Sequence, residues 1–280
     1  MKKYELTDET KEVHGKTLHR IRALCDFRDV KSGEVGGWIE HEHNLIQSGD
    51  AWVSGDAQVY GNACVSGDAR VSGDARVSGD AWVYGDACVY GDAQVSGDAQ
   101  VYGNARVSGD ARVSDNARVY GDARVSGDAW VYGDAWVSDN ARVYGDACVS
   151  GNAWVYGDAW VSGDARVYGD AWVYGDAQVY GNARVYGDAW VYGDARVYGD
   201  ARVDTQEAIL WISNIGSRKA TVTFFKQRDG EIGVVTGCFY GTLAEFLAKV
   251  EKTHGDNAHG QAYRIAAELA FVRLQGKNTD

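Results

Sequence analysis

Gly49-Asp50-Ala51-Trp52-Val53-Ser54 opens a run in which one six-residue phrase, Gly-Asp/Asn-Ala-x-Val-Tyr/Ser, continues to Asp204 without an insertion or a deletion. The run takes up 156 of the 280 residues, or 26 hexads. A six-residue unit cannot bury its own apolar side, so a fixed period of this kind predicts units that stack on their neighbours. Ala and Val lie two residues apart, so in an extended chain they share one side and x and Tyr/Ser take the other. Ala and Val are therefore expected inside. Gly-Asp or Gly-Asn turns the corner, where glycine adopts dihedrals that other residues avoid. Two hexads begin instead with Asp115-Asn116 and Asp139-Asn140. Their shared Asn points to the second corner residue as the left-handed one.

Three such sides close an 18-residue triangular coil, in which residues 18 apart stack at the inter-strand spacing of about 4.8 Å. The predicted fold is an all-β solenoid, a parallel β-helix of nearly nine coils and roughly 40 Å. Burial of one valine stabilises by about 1.5–3 kcal/mol before entropy, so stacked valines can support the fold without another core. The chain has no proline, as expected where every coil must donate to the next.

The phrase resembles that of the hexapeptide-repeat left-handed parallel β-helix family, aliphatic-x-x-x-small-x, with Val53-Ser54-Gly55-Asp56-Ala57-Gln58 as one instance. The left hand of the helix is implied by that resemblance alone. Upstream, Asp26-Phe27, Asp29-Val30-Lys31, Gly36-Gly37-Trp38 and Gly49-Asp50-Ala51-Trp52 resemble the beginning of YdcK-like hexapeptide-repeat proteins, of the kind found in phages and prophages. Many members of the wider family transfer acyl groups from coenzyme A or carrier protein, using a catalytic histidine and a loop that protrudes from a coil. Residues 49–204 contain no histidine and no loop. Neither acyl transfer nor a cofactor is therefore expected.

The flanks read as end pieces: an N-terminal β cap over residues 1–48 and a C-terminal α+β module over 205–280. In the cap, residues 4–6 and 16–24 read as short strands around a polar turn, and Phe27, Val30, Trp38 and Ile39 as a lid on the first coil. In the module, residues 220–225 and 232–239 read as a hairpin. Thr242 and Glu245 form a capping box for a helix ending near Gly255, and a second helix spans about 258–274, giving a ββαα order. Its apolar residues are Tyr263, Ile265, Leu269, Phe271 and Val272.

Residues 49–204 hold 23 Asp against 11 Arg and so carry the whole net charge of −12. An acidic surface of this kind is unsuited to phosphate backbones, and no nucleic acid is expected as partner. Five cysteines without metal-ligand spacing suggest a reduced, cytoplasmic chain, or one carried in a phage particle. No apolar segment reaches the length of a membrane span, and the first 12 residues have no signal-peptide core. His41-x-His43 is two residues short of a metal site, and asparagines interrupt the Asp columns, so no metal is expected. Cys238 and His254 read as a buried structural thiol and a helix-terminal imidazole rather than a nucleophile and its base.

Sorting the outward residues by 18-residue column separates three unlike faces. One carries Trp82, Tyr84, Tyr102, Tyr120, Trp136, Trp154, Tyr156, Trp172, Tyr174, Trp190 and Tyr192, so that 11 of its 16 outward positions are aromatic and one is Arg. The other two carry five Arg each. Ring-on-ring ladders alone would stabilise the sheet, but a long aromatic strip also marks a covered surface. The expected role is a non-enzymatic structural or interaction protein whose aromatic face meets a second copy or a protein partner. A glycan-binding rod and an acidic decoy for basic proteins stay open as alternatives.

Overall fold

The computed structural model describes residues 2–275. The chain forms two compact units, residues 1–152 and 153–280. The hexads form 26 two-residue strands, from Trp52–Val53 to Arg202–Val203, each made of x and Val. The fold is a parallel β-solenoid with three strands to a coil and an antiparallel sheet with two helices after it.

Within residues 2–152, partners lie 18 residues apart, as in Gln100↔Arg118 and Val101↔Val119. Every Ala and Val of the phrase is fully buried. The N–H of each x residue donates to the carbonyl of the Ala in the next coil, as from Trp82 to Ala99 at 2.9 Å, so the ladder has one direction throughout. The left-handed residue is the first of the corner pair, not the second: Gly103 has φ +69°, and where Gly is replaced Asp115 and Asp139 take φ +58° and +57°. The asparagines therefore have another cause. Asn62 and Asn116 donate from Nδ2 to the carboxylates of Asp80 and Asp134, 18 residues on, at 2.7 and 3.0 Å. A donor between stacked carboxylates replaces repulsion with a charge-assisted bond.

The N-terminal cap is larger than the sequence suggests. Strand Tyr4–Val13 runs antiparallel to Lys16–Ala23, with only His14 and Gly15 at the turn, because a bulge between Leu6 and Thr10 lets the polar residues stay paired. Strand Val35–Ile39 pairs antiparallel with Lys16–Ala23 and parallel with Gln58–Val59, and so belongs to the cap and to the solenoid together. Gly36 and Gly37 permit this approach: a Cβ at Gly36 would lie 2.5 Å from Ile21 Cγ1, and one at Gly37 2.7 Å from the Ala57 carbonyl. Trp52, expected on an outward face, is buried, with Phe27 and Tyr4 edge-on to its ring.

In the second unit, the hexads from residue 153 onward lead into a four-stranded antiparallel sheet of Ile209–Ile215, Ala220–Lys226, Ile232–Thr236 and Phe239–Thr242. Two helices follow, α1 (Leu243–His254) and α2 (Ala258–Gln275). The order is ββββαα rather than ββαα. The first strand was not expected, and residues 232–239 divide at a turn before Phe239. The capping box of Thr242 and Glu245 is present. Val222, Phe224 and Val234 face the helices and pack with Phe246, Val250, Tyr263, Ala266, Ala267 and Ala270. The next-door residue Thr223 faces the solenoid, accepting from the Arg196 N–H at 3.0 Å. This strand is buried on both sides, which hides the period-two signal. On α2 the inward positions are Tyr263 and small residues, so Ile265, Leu269, Phe271 and Val272, expected to pack, are exposed instead.

Candidate functional site

The predicted aromatic residues fall in both units. In the first, Tyr84, Tyr102 and Tyr120 stack with centroids 4.8 and 4.9 Å apart and planes 3° from parallel. Trp82 stands edge-on to Tyr84 and Trp136 edge-on to Tyr120. Arg118 lays its guanidinium over Trp136 at 4.9 Å. In the second unit, Trp154, Trp172 and Trp190 form one ladder at 5.1 and 5.3 Å, and Tyr156, Tyr174 and Tyr192 a second beside it at 4.9 and 5.0 Å. Tyr156 meets Trp172 edge-on, which ties the two ladders together. The end of the tyrosine ladder is closed by Trp211, edge-on to Tyr192 at 4.5 Å. Trp211 lies outside the repeat, and no periodicity could have placed it there.

The in-register parallel strands produce this geometry, since they set identical side chains one strand spacing apart and offset stacking tolerates that distance. Each ring in a ladder covers its neighbours' faces and leaves its edge toward solvent. Nine of the eleven residues are accordingly half-buried, while Trp82 and Trp190 remain 54% and 42% exposed. Burial raises the pKa of the Tyr84, Tyr102 and Tyr174 hydroxyls, and for the latter two the adjacent phenols add to it. Open aromatic surface is not confined to this face. Tyr90, Trp130, Tyr132 and Trp160 on the other two columns are also exposed.

The second apolar surface is on α2, where Ile265, Leu269 and Val272 follow i, i+4, i+7 spacing and are 67%, 45% and 63% exposed. Their sequence signal was the alternation with Ala266, Ala267 and Ala270: small residues mark the side where the helix lies close to its neighbours.

His41 and His43 sit at a 3-10 turn, with rings 5.2 Å apart, and His43 Nε2 is 3.0 Å from the Gly61 carbonyl. Among the described residues no three His, Cys, Asp or Glu side chains come together as a metal site would require. All five cysteines are free, and Cys238 is exposed rather than buried, because it lies in the turn between two strands. Cys238 and His254 line one cavity of the C-terminal module. No helix among the described residues is long and apolar enough to cross a membrane.

Ten segments of the chain match a protein-family model described as YdcK Beta solenoid repeat: residues 57–71, 69–85, 99–115, 111–125, 117–133, 123–139, 135–151, 141–157, 159–175 and 177–193. The chain is also similar to a protein of Escherichia coli (strain K12) named Uncharacterized acetyltransferase YdcK, with 36% identity over 61 residues. That match covers 19% of this chain and 19% of the relative, so the chain spans about a fifth of the relative's length. Among solved structures, LpxA from Acinetobacter baumannii is similar over 59% of this chain and 69% of its own, at 11% identity and a TM-score of 0.25. A UDP-N-acetylglucosamine acyltransferase from Campylobacter jejuni is similar over 76% and 86%, at 12% identity and the same TM-score. At that TM-score neither carries a further argument.

Proposed function

Because the chain belongs to the YdcK β-solenoid repeat family, we propose that it works as a rigid, non-enzymatic interaction protein whose aromatic face is held against a second copy of the chain. The observation that carries this reading is the double ladder of the second unit, where two tryptophan and tyrosine columns lie side by side and Trp190 keeps a large open edge. Stacking has already fixed these side chains, so covering them costs little further rotamer entropy. The arrangement favours a shaped protein surface over a flat glycan, since a sugar stacks on ring faces and those are taken up by neighbouring rings. The acetyl transfer in the relative's name is the competing class. The match to that protein is short, and the hexads themselves contain no histidine to serve as a base.

The exposed stripe on α2 favours a second reading, in which self-association runs through the helix. Size-exclusion chromatography with light scattering separates the two. An oligomer that becomes monomeric in Trp172→Ser/Trp190→Ser, but not in Ile265→Ser/Val272→Ser, supports the aromatic face. The opposite pattern moves the interface to α2. A wild-type monomer at all concentrations rules out self-association, and thiol release from acetyl-coenzyme A with an acceptor present would overturn the non-enzymatic part.

A further inference from the structure

The C-terminal module contains a cavity of about 230 Å³ whose floor is formed by Phe239, Phe246, Val250 and the ring of Tyr263. At about 30 Å³ for each liquid water, the space suits a ligand of roughly ten heavy atoms. Arg218 and Lys249 stand on the rim, and no carboxylate lines the cavity, in a chain whose net charge is −12. Neither cation makes an ion pair or a side-chain hydrogen bond among the described residues. Tyr263 is 8% exposed, and its hydroxyl makes no hydrogen bond among the described residues. That hydroxyl lies against Gly216, where a Cβ would come within 2.0 Å of it. Glycine at 216 leaves the phenol its place beside Ser217 and Arg218.

A buried hydroxyl without a partner is costly, and two unpaired cations over an apolar floor repel each other. A single kind of ligand answers all three features. We infer that this cavity binds a small amphipathic carboxylate, its ring or short chain on the phenylalanine floor and its anionic group between Arg218 and Lys249. The inference is independent of the aromatic ladders, since every residue it uses lies in the C-terminal module.

Cys238 opens onto the same cavity and is the exposed thiol among five, which supplies a local readout in the full-length protein. Iodoacetamide alkylation of Cys238, followed by peptide mass spectrometry, is measured with phenylacetate, with benzyl alcohol as the uncharged ring and with acetate as the charge without a ring. Phenylacetate is expected to slow alkylation at least fivefold at saturation, with benzyl alcohol and acetate far weaker. Arg218→Gln and Lys249→Gln, both at exposed positions and checked for fold by circular dichroism, should each weaken phenylacetate about tenfold, as loss of one charge-assisted bond implies. Equal protection by benzyl alcohol, equal protection by acetate, unchanged binding in both variants, or no protection by any of the three compounds overturns the inference.

Discussion

Replacing Gly97 by Ala tests the corner geometry on which the solenoid depends. Gly97 has φ +66°, and an added Cβ would lie 2.8 Å from the Asp115 nitrogen, 3.0 Å from its Cα and 3.1 Å from its carbonyl oxygen. Left-handed backbone costs a residue with a side chain about 1–2 kcal/mol. Forcing neighbouring backbone aside adds roughly 1–3 kcal/mol, because the contacts are to main chain already bonded between coils. The expected loss is about 3 kcal/mol. Asp115 is the natural control, since it holds φ +58° with a side chain in place. Its carboxylate accepts from the Gly133 N–H at 3.1 Å, a bond worth about 1 kcal/mol that offsets much of the strain. Asp115→Gly removes strain and bond together and gives the unfolded chain more freedom, so it should change stability by no more than about 1 kcal/mol. Urea denaturation followed by tryptophan fluorescence, with hydrogen exchange to locate opening among the coils, measures both. If Asp115→Gly costs as much as Gly97→Ala, the side chain and not the backbone conformation sets the corner, and the reasoning fails.

Two further outcomes follow from the coil and its caps. Burial lowers the pKa of Lys3 to about 8 from 10.5, although its ammonium donates to the carbonyls of Gly49 and Ala51. Between those values the unfolded chain holds the proton and the folded chain does not, so stability should rise with pH, by about 2 kcal/mol from pH 7 to 9.5; Lys3→Met should abolish that slope in urea titrations. Insertion of one hexad between Tyr156 and Trp172 would set Trp154 on Arg166 instead of Trp172, whereas three hexads would restore the tryptophan column. If the aromatic face is the contact surface, light scattering should find the oligomer lost in the first case and retained in the second.

The sequence is most transparent where residues repeat and least where one coil departs from the repeat. The Ala/Val interior and the 18-residue register follow from spacing alone. The turn of chain before Trp52 was harder to see, because Ile39 and Leu45 replace valine and pair with Val59 and Val65 at a separation of 20 rather than 18. The aromatic columns were legible as columns, but not as ladders that bury their own ring faces. Periodicity tells which residues share a side, whereas exposure depends on side-chain rotation and on neighbours such as Trp211. On α2 the large apolar residues drew attention, although the alanines mark the packed side. Hydrophobicity ranks residues by what burial would gain, while close helix packing selects them by size.

The direction of the backbone ladder explains the different chemistry of the two ends. Each coil donates its N–H groups to the next, so an uncovered first coil presents carbonyls and an uncovered last coil presents N–H groups. The N-terminal cap is accordingly made of donors. Lys3 Nζ reaches the carbonyls of Gly49 and Ala51, Asn44 Nδ2 those of Gly61 and Ala63, and the backbone N–H groups of Trp38 and Glu40 those of Ala57 and Val59. At the other end the requirement is reversed, and Thr223 offers its hydroxyl oxygen to the Arg196 N–H. The hexads can therefore vary in number without changing either cap, but the caps cannot exchange places. Length is free within the repeat, polarity is not, and the residues that enforce polarity all lie outside the phrase that repeats.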